Sequence, residues 1–338
     1  MELREVRSNA RGKMKGFCNL CTECNGVWCA GQVPGMGGAG TGESFKRSFE
    51  KLKNIKLSMK TLHSATNPNT SFSIFGEKLS IPVITAPITG TKFNMGGSVT
   101  DEEYINDVVF GSIDAGTIAM IGDTGDSSCY VHGIEALKKS KGKGIAIIKP
   151  RENSEIIYRI KMAEEAGALA VGVDIDGAGL VTMKLFGQPV GPKTPEELKE
   201  LIESTELPFI VKGVLSVEEA KICVKAGASA IVVSNHGGRV LNHTLAPCEV
   251  LKDIVKAVGD DIIVLADGNV REGADVIKYI ALGAKGVLIG RPVIWGSIGG
   301  RQEGVKTILE TIKSQLYQGM ILTGSHSIEA IDKDKIIL

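Results

Sequence analysis

Short runs of aliphatic and β-branched residues recur along the chain, each followed by apolar positions at helical spacing. The runs are Ile81–Ala86, Gly116–Ile121, Gly144–Lys149, Ala168–Asp174, Pro208–Gly213, Ala228–Ser234, Asp261–Asp267 and Lys285–Gly290. Among the intervening segments, Asp101–Ala115, Ser154–Ala166, Thr194–Ile202, Val217–Ala226, Cys248–Val258 and Glu272–Leu282 predict helices. Gly116, Gly167, Gly227 and Gly283 stand just before the next strand, where a helix ends most easily on glycine. Strands that are apolar throughout belong to a parallel sheet covered on its outer side. Eight strand–helix units in succession predict an α/β fold, a (β/α)8 TIM barrel. The rival is a doubly wound open sheet, but no Gly-x-Gly-x-x-Gly turn follows the first strand. Gln302–Gln318 reads as a closing helix. The organisation expected is an irregular cysteine-rich segment over 1–45, the barrel over 46–325 and a short tail over 326–338.

Composition narrows the class. Of 338 residues, 39 are basic and 39 acidic, so no charge excess points to nucleic acid or an anionic membrane surface. An apolar content of 43% suffices for one large core. No apolar run approaches the length of a membrane span, and no secretory h-region is evident. A cytoplasmic protein acting on a small molecule is expected.

A parallel barrel collects its chemistry where the strands end. Those ends read Thr85-Ala86-Pro87, Gly122-Asp123-Thr124, Lys149-Pro150-Arg151, Asp174-Ile175-Asp176, Lys212-Gly213, Ser234-Asn235-His236 with Arg239 beyond, Asp267-Gly268-Asn269 and Gly290-Arg291. His236 is a candidate proton carrier near neutral pH, and Arg239 a candidate fork for a carboxylate. A polar Gly-Gly turn holding a histidine would explain that stretch alone. It does not explain a lysine and several arginines at the same mouth. Gly268, Asn269, Gly290 and Arg291 follow strands seven and eight, the usual barrel position for a phosphate. Asp123 and Asn269 can equally serve as helix caps. The Gly-rich stretch Met36–Gly40 lacks the lysine and hydroxyl of a P-loop and reads as a flexible turn. His63, His132, His243 and His326 have no partners in sequence and read as structural or exposed.

On Val211-Lys212-Gly213-Val214, Ser234-Asn235-His236-Gly237-Gly238-Arg239, Asp267-Gly268-Asn269-Val270-Arg271 and Ile289-Gly290-Arg291-Pro292, the chain resembles the FMN-dependent α-hydroxy-acid oxidase and dehydrogenase family. The similarity runs over about 55–325, with Ala86-Pro87 a weaker match. It implies FMN as cofactor, His236 as base, Asp174 as the carboxylate supporting its imidazolium, and Arg239 as the substrate-carboxylate clamp. It places Lys212 beside the flavin and Arg291 on its phosphate. Ala86, Pro87, Ser234, Gly238, Arg239, Asp267, Gly268, Asn269 and Gly290 complete the cofactor site. It also implies a homo-oligomer, a tetramer or larger. Three features of the family pattern are missing. Residues 1–45 hold no tyrosine, strand three ends without one, and the segment after strand four has Lys184 in place of a second arginine. Lys149 and Arg151 are the candidates to supply the missing charge to a substrate.

Cys18, Cys21, Cys24 and Cys29 fall within twelve residues. In a chain without an export signal such a group suggests metal rather than disulfides. The Cys-x2-Cys-x2-Cys start favours a [4Fe–4S] cluster, with zinc as the alternative and a plain staple as the bland reading. A cluster would hand electrons to a carrier and make the enzyme a dehydrogenase. Two other readings stay open at this point: a redox-neutral FMN isomerase resembling type 2 isopentenyl-diphosphate isomerase, and a non-catalytic electron-relay flavoprotein.

Overall fold

The computed structural model describes all 338 residues. Eight parallel strands close into a barrel: β1 Val83–Thr85, β2 Ala119–Gly122, β3 Gly144–Ile148, β4 Ala170–Asp174, β5 Phe209–Val214, β6 Ala230–Val233, β7 Ile263–Ala266 and β8 Gly286–Ile289. Each pairs with its neighbours in sequence, and β8 returns to β1 through Val287–Val83 to Ile289–Thr85. The strands lie inside the predicted runs or overrun them by one residue.

Two apolar layers hold the barrel. Inside it, Ile84, Met120, Ile145, Ile147, Ile210, Val232, Leu265 and Leu288 fill the lumen. Ile74 and Leu79 join that inner cluster from an antiparallel hairpin, Phe72–Ile74 with Glu77–Leu79. Outside, the opposite residues of each strand pack on the helices. Here α1 is Leu3–Lys13, α2 Glu43–Asn54, α3 Asp101–Asp114, α4 Ser127–Lys139, α5 Asn153–Glu165, α6 Pro195–Glu203, α7 Val217–Ala226, α8 Pro247–Val258, α9 Gly273–Ala281 and α10 Arg291–Thr323. Thr100 and Thr194 cap α3 and α6 with reciprocal glutamates, Glu103 and Glu197. Helix α10 is broken at Arg301, whose φ of 56° and ψ of −148° leave the helical region. Its second limb begins where the closing helix was predicted.

The ends of the chain are less irregular than their composition suggests. Helix α1 lies inside the segment expected to be irregular and packs along α10. Gly299 permits this contact, because a Cβ there would meet Val6 O at 2.0 Å. In the tail, Ile336–Ile337 pairs antiparallel with Lys56–Leu57. No helix is long and apolar enough to cross a membrane.

Candidate active site

The Ser234–Arg239 stretch leaves β6 in a tight left-handed turn: His236, Gly237 and Gly238 have φ of 56°, 63° and 75°. Two glycines make such a turn affordable, and His236 is held in it by its neighbours. Asn235 Oδ1 accepts from Gly238 N at 3.2 Å, and Asn235 Nδ2 donates to Ser48 Oγ and Leu245 O. His236 N donates to Ser234 Oγ at 3.0 Å, which in turn donates to Asp267 Oδ2 at 2.8 Å. Gly238 is pressed against helix α2, where a Cβ would lie 2.6 Å from Phe45 N. The imidazole is thereby fixed at the barrel mouth.

His236 Nδ1 lies 2.8 Å from Asp176 Oδ1 and 3.5 Å from Asp174 Oδ2. A carboxylate only accepts, so Nδ1 carries the proton and Nε2 is the nitrogen able to take one. The support expected from Asp174 therefore comes at hydrogen-bond distance from Asp176, two residues further on. Asp174 is engaged elsewhere: Lys149 Nζ donates to its Oδ2 at 2.6 Å and Lys212 Nζ to its Oδ1 at 3.1 Å. Burial pushes the Asp174 carboxyl up, but His236, Lys149 and Lys212 outweigh it and hold the group well below the usual carboxylate range. Burial likewise works against the Lys212 charge, and Asp174, Asp176 and Asp267 overcome it, leaving the ammonium above its usual range.

The four cationic candidates divide sharply. Arg151 donates to both oxygens of the buried Asp123, at 2.8 and 3.1 Å, and to Thr124 O and Gln188 Oε1. It does not line the pocket. Lys149 does, but Asp174 holds it. Both are thus paired with carboxylates of the chain, and only Lys149 faces the pocket. Arg239 and Arg291 differ, because neither finds a carboxylate. Arg239 donates to Gly35 O and to Asn94 Oδ1. Arg291 donates to Met36 O at 2.8 Å, to Gly37 O and to Gly237 O, and its guanidinium lies 3.8 Å over the Phe45 ring. Burial and the Arg291 charge pull Arg239 down to about 10, and burial with the Arg271 charge does the same to Arg291. Two half-buried guanidiniums with only neutral acceptors are two places suited to anions.

These groups surround a pocket at the strand C-termini. Ala86, Pro87, Lys149, Asp174, Lys212, His236, Arg239, Asp267, Gly268, Asn269, Gly290 and Arg291 line it. Ser234 and Gly238 stand behind this wall and act through the turn just described. Gly35 and Met36 also line it, so the stretch read as a flexible turn forms part of the mouth. Glycines allow that closeness: a Cβ on Gly37 would sit 1.7 Å from Cys29 O. Asp176, Asn94 and Arg271 are the additions to the predicted set. Asp176 had a signal in its i+2 spacing from Asp174; Asn94, at the end of the short helix Thr91–Asn94 after β1, had none.

Fold and pocket together define a parallel barrel with one pocket at its mouth, lined by an imidazole, two lysines and three arginines. A protein-family model described as FMN-dependent dehydrogenase matches residues 35–185 and 180–338. The chain belongs to that family. It is 29% identical over 320 residues to 4-hydroxymandelate oxidase of Amycolatopsis orientalis, covering 87% of this chain and 90% of the relative. It is 30% identical over 340 residues to 2-hydroxyacid oxidase 1 of Mus musculus, covering 88% and 89%. A mandelate oxidase variant crystallised with 2-hydroxy-phenylacetamide superposes with a TM-score of 0.78 at 27% identity, over 99% of this chain and 97% of that one. The protein is thus an FMN-dependent enzyme of the α-hydroxy-acid oxidase and dehydrogenase type.

The pocket fits FMN on its own evidence. Asp267 Oδ1, Asn269 Oδ1 and Arg271 Nε are buried, belong to lining residues and have no partner within the chain. Each such orphan costs about 1–3 kcal/mol unless a ligand meets it. Gly268, at φ 104°, leaves the wall open where a Cβ would strike Tyr279 Oη at 2.9 Å. The cysteines behave differently. No three of their sulfurs lie mutually within 4.8 Å. Tetrahedral zinc, with Zn–S of about 2.3 Å, holds sulfurs about 3.8 Å apart, and the four cysteines do not show that spacing. The spacing does not display an iron–sulfur site either. All four thiols are free and partly buried.

Proposed function

We propose that the enzyme oxidises a 2-hydroxy acid to the 2-keto acid, with His236 as base and Arg239 as carboxylate anchor. The observation that carries this is the pairing of an oriented imidazole with a half-buried guanidinium that no carboxylate of the chain neutralises. Arg239, with Asn94 beside it, holds the substrate carboxylate. His236 Nε2 takes the hydroxyl proton while Asp176 retains the proton on Nδ1 and compensates the imidazolium. The C–H and O–H bonds break, a C=O bond forms, and two electrons leave the substrate. Bound FMN supplies the two-electron sink. Lys212 and Lys149 hold positive charge on the pocket wall, while Asn269, Arg271, Gly290 and Arg291 are the phosphate grip. The two relatives named above carry oxidase names, and the His236–Arg239 pair gives neither the isomerase nor the relay reading any support.

Reduction of the anaerobic holoenzyme by a panel of aliphatic and aromatic 2-hydroxy acids tests this, with flavin bleaching as the signal. His236→Ala should slow bleaching by at least about 10²-fold. Arg239→Met should weaken the apparent substrate affinity by about 2–5 kcal/mol with FMN retained. Failure of every 2-hydroxy acid to bleach the flavin would overturn the reading.

For the electron outlet we infer a dehydrogenase whose four N-terminal thiols bind an iron–sulfur cluster. The surroundings of the sulfurs support it. Arg271 Nη2 donates to Cys24 Sγ at 3.6 Å and Leu20 N to Cys18 Sγ at 3.4 Å. The buried Trp295 indole N–H, without an acceptor among the oxygens and nitrogens, neighbours Cys18. Donors and cations around thiolates are what an anionic cluster needs, and a multi-iron cluster spreads its thiolates wider than one zinc ion does. Arg271 also lines the pocket, so the cysteine loop abuts its phosphate end. Iron analysis of anaerobically purified protein decides: iron lost in Cys21→Ala is expected, and iron-free wild type refutes the cluster.

A further inference from the structure

We propose that Asp176 is the residue that positions His236, and that Asp174 instead holds Lys149 and Lys212 as a cation pair on the cofactor side of the pocket. The proposal rests on the functional reading above for its proton-transfer half only.

The geometry separates the two carboxylates. N–H···O bonds end near 3.2 Å, so the 2.8 Å contact to Asp176 is one and the 3.5 Å contact to Asp174 is not. Both oxygens of Asp174 already accept from ammonium groups. The place of Asp176 is itself built. Strand β5 shifts register between Lys212 and Val214, and Gly213 sits there at φ 99°. A Cβ on Gly213 would lie 2.5 Å from Asp176 Cγ. The bulge therefore clears room for this one side chain beside the imidazole.

The consequence for the lysines follows from charge. Lys149 and Lys212 converge on Asp174, and Asp267 Oδ2 lies 3.7 Å from Lys212 Nζ, so Lys212 is shared between two carboxylates while Lys149 meets Asp174 alone. Lys149 and Lys212 both face the pocket. A cofactor that gains negative charge on reduction is favoured beside these ammoniums, and Lys149 adds a second cation to Lys212.

Two measurements test the two halves independently. The midpoint potential of bound flavin, read by dye equilibration without any substrate, reports on Lys149. Lys149→Gln should lower the equilibrium constant for two-electron reduction about tenfold, a fall of about 30 mV, and Lys149→Arg should restore most of it. An unchanged potential in Lys149→Gln overturns the cation pair. For Asp176, 15N NMR of the imidazole reads the tautomer. Asp176→Asn should move the proton from Nδ1 to Nε2 and slow flavin reduction by about 10²–10⁴-fold, as a wrong tautomer does. An unmoved tautomer in Asp176→Asn, with Asp174→Asn moving it, would return the positioning role to Asp174. If no 2-hydroxy acid reduces the flavin, the potential and the tautomer still decide, so failure of the functional reading is told apart from failure of this one.

Discussion

Asp174 is the residue on which most of the buried charge converges, and its removal has a predictable sign. Asp174→Asn leaves the buried Lys149 ammonium without its counterion and Lys212 with only Asp267, at 3.7 Å, which costs about 3–5 kcal/mol at neutral pH. The folded pKa of Asp174 lies below its unfolded value, so the unfolded chain binds more protons in acid. Its stabilisation is complete above roughly pH 5 and is lost as pH falls through and below about 4. The gap between wild type and Asp174→Asn in urea denaturation should therefore narrow toward acid; a gap that widens would refute the coupling. At this scale the sequence was readable for which side chains stand at the barrel mouth, as His236 and Lys212 do. It was not readable for Arg151 and Lys149, whose chemistry is set by Asp123 and Asp174 on neighbouring strands. A charge looks available in a sequence until the partner that neutralises it is in view.

Among the elements, the strands were the most legible and the connections the least. Continuous apolar runs located all eight strands because a lumen and a helix layer bury both faces of each. The bulge in β5 left no such signature, since Val211-Lys212-Gly213-Val214 reads as ordinary strand with one glycine. Gly213→Ala tests what that glycine does. The added methyl needs an unfavourable φ and presses on Asp176, so a loss of about 1–3 kcal/mol is expected. Displacing the imidazole support should also slow flavin reduction at least about tenfold while FMN stays bound. Normal reduction kinetics in a stably folded Gly213→Ala would show that the bulge serves the strand alone.

For the molecule as a whole, the N-terminal segment is part of the enzyme's wall. Its composition hid this, because glycines and cysteines without periodicity read as loose chain. The contacts that order it are main-chain carbonyls meeting Arg239 and Arg291, and side-chain patterning records no such contact. Helix α1 ties the segment down through the close approach of Val6 to Gly299. Gly299→Ala should cost about 1–3 kcal/mol there and expose residues 14–42 to limited proteolysis, with the barrel itself resistant. Equal cleavage rates in the two proteins would mean that α1 is not what holds the segment.

The Arg291 to Met36 contact joins positions 255 residues apart, and Arg239 to Gly35 spans 204. The carbonyls of residues 35–37 find their seat only when Arg239 and Arg291, beyond the sixth and eighth strands, are in place. Such long-range contacts form late in folding, because the loop between them must be closed first. The pocket is therefore completed only once the barrel that seats the loop has closed.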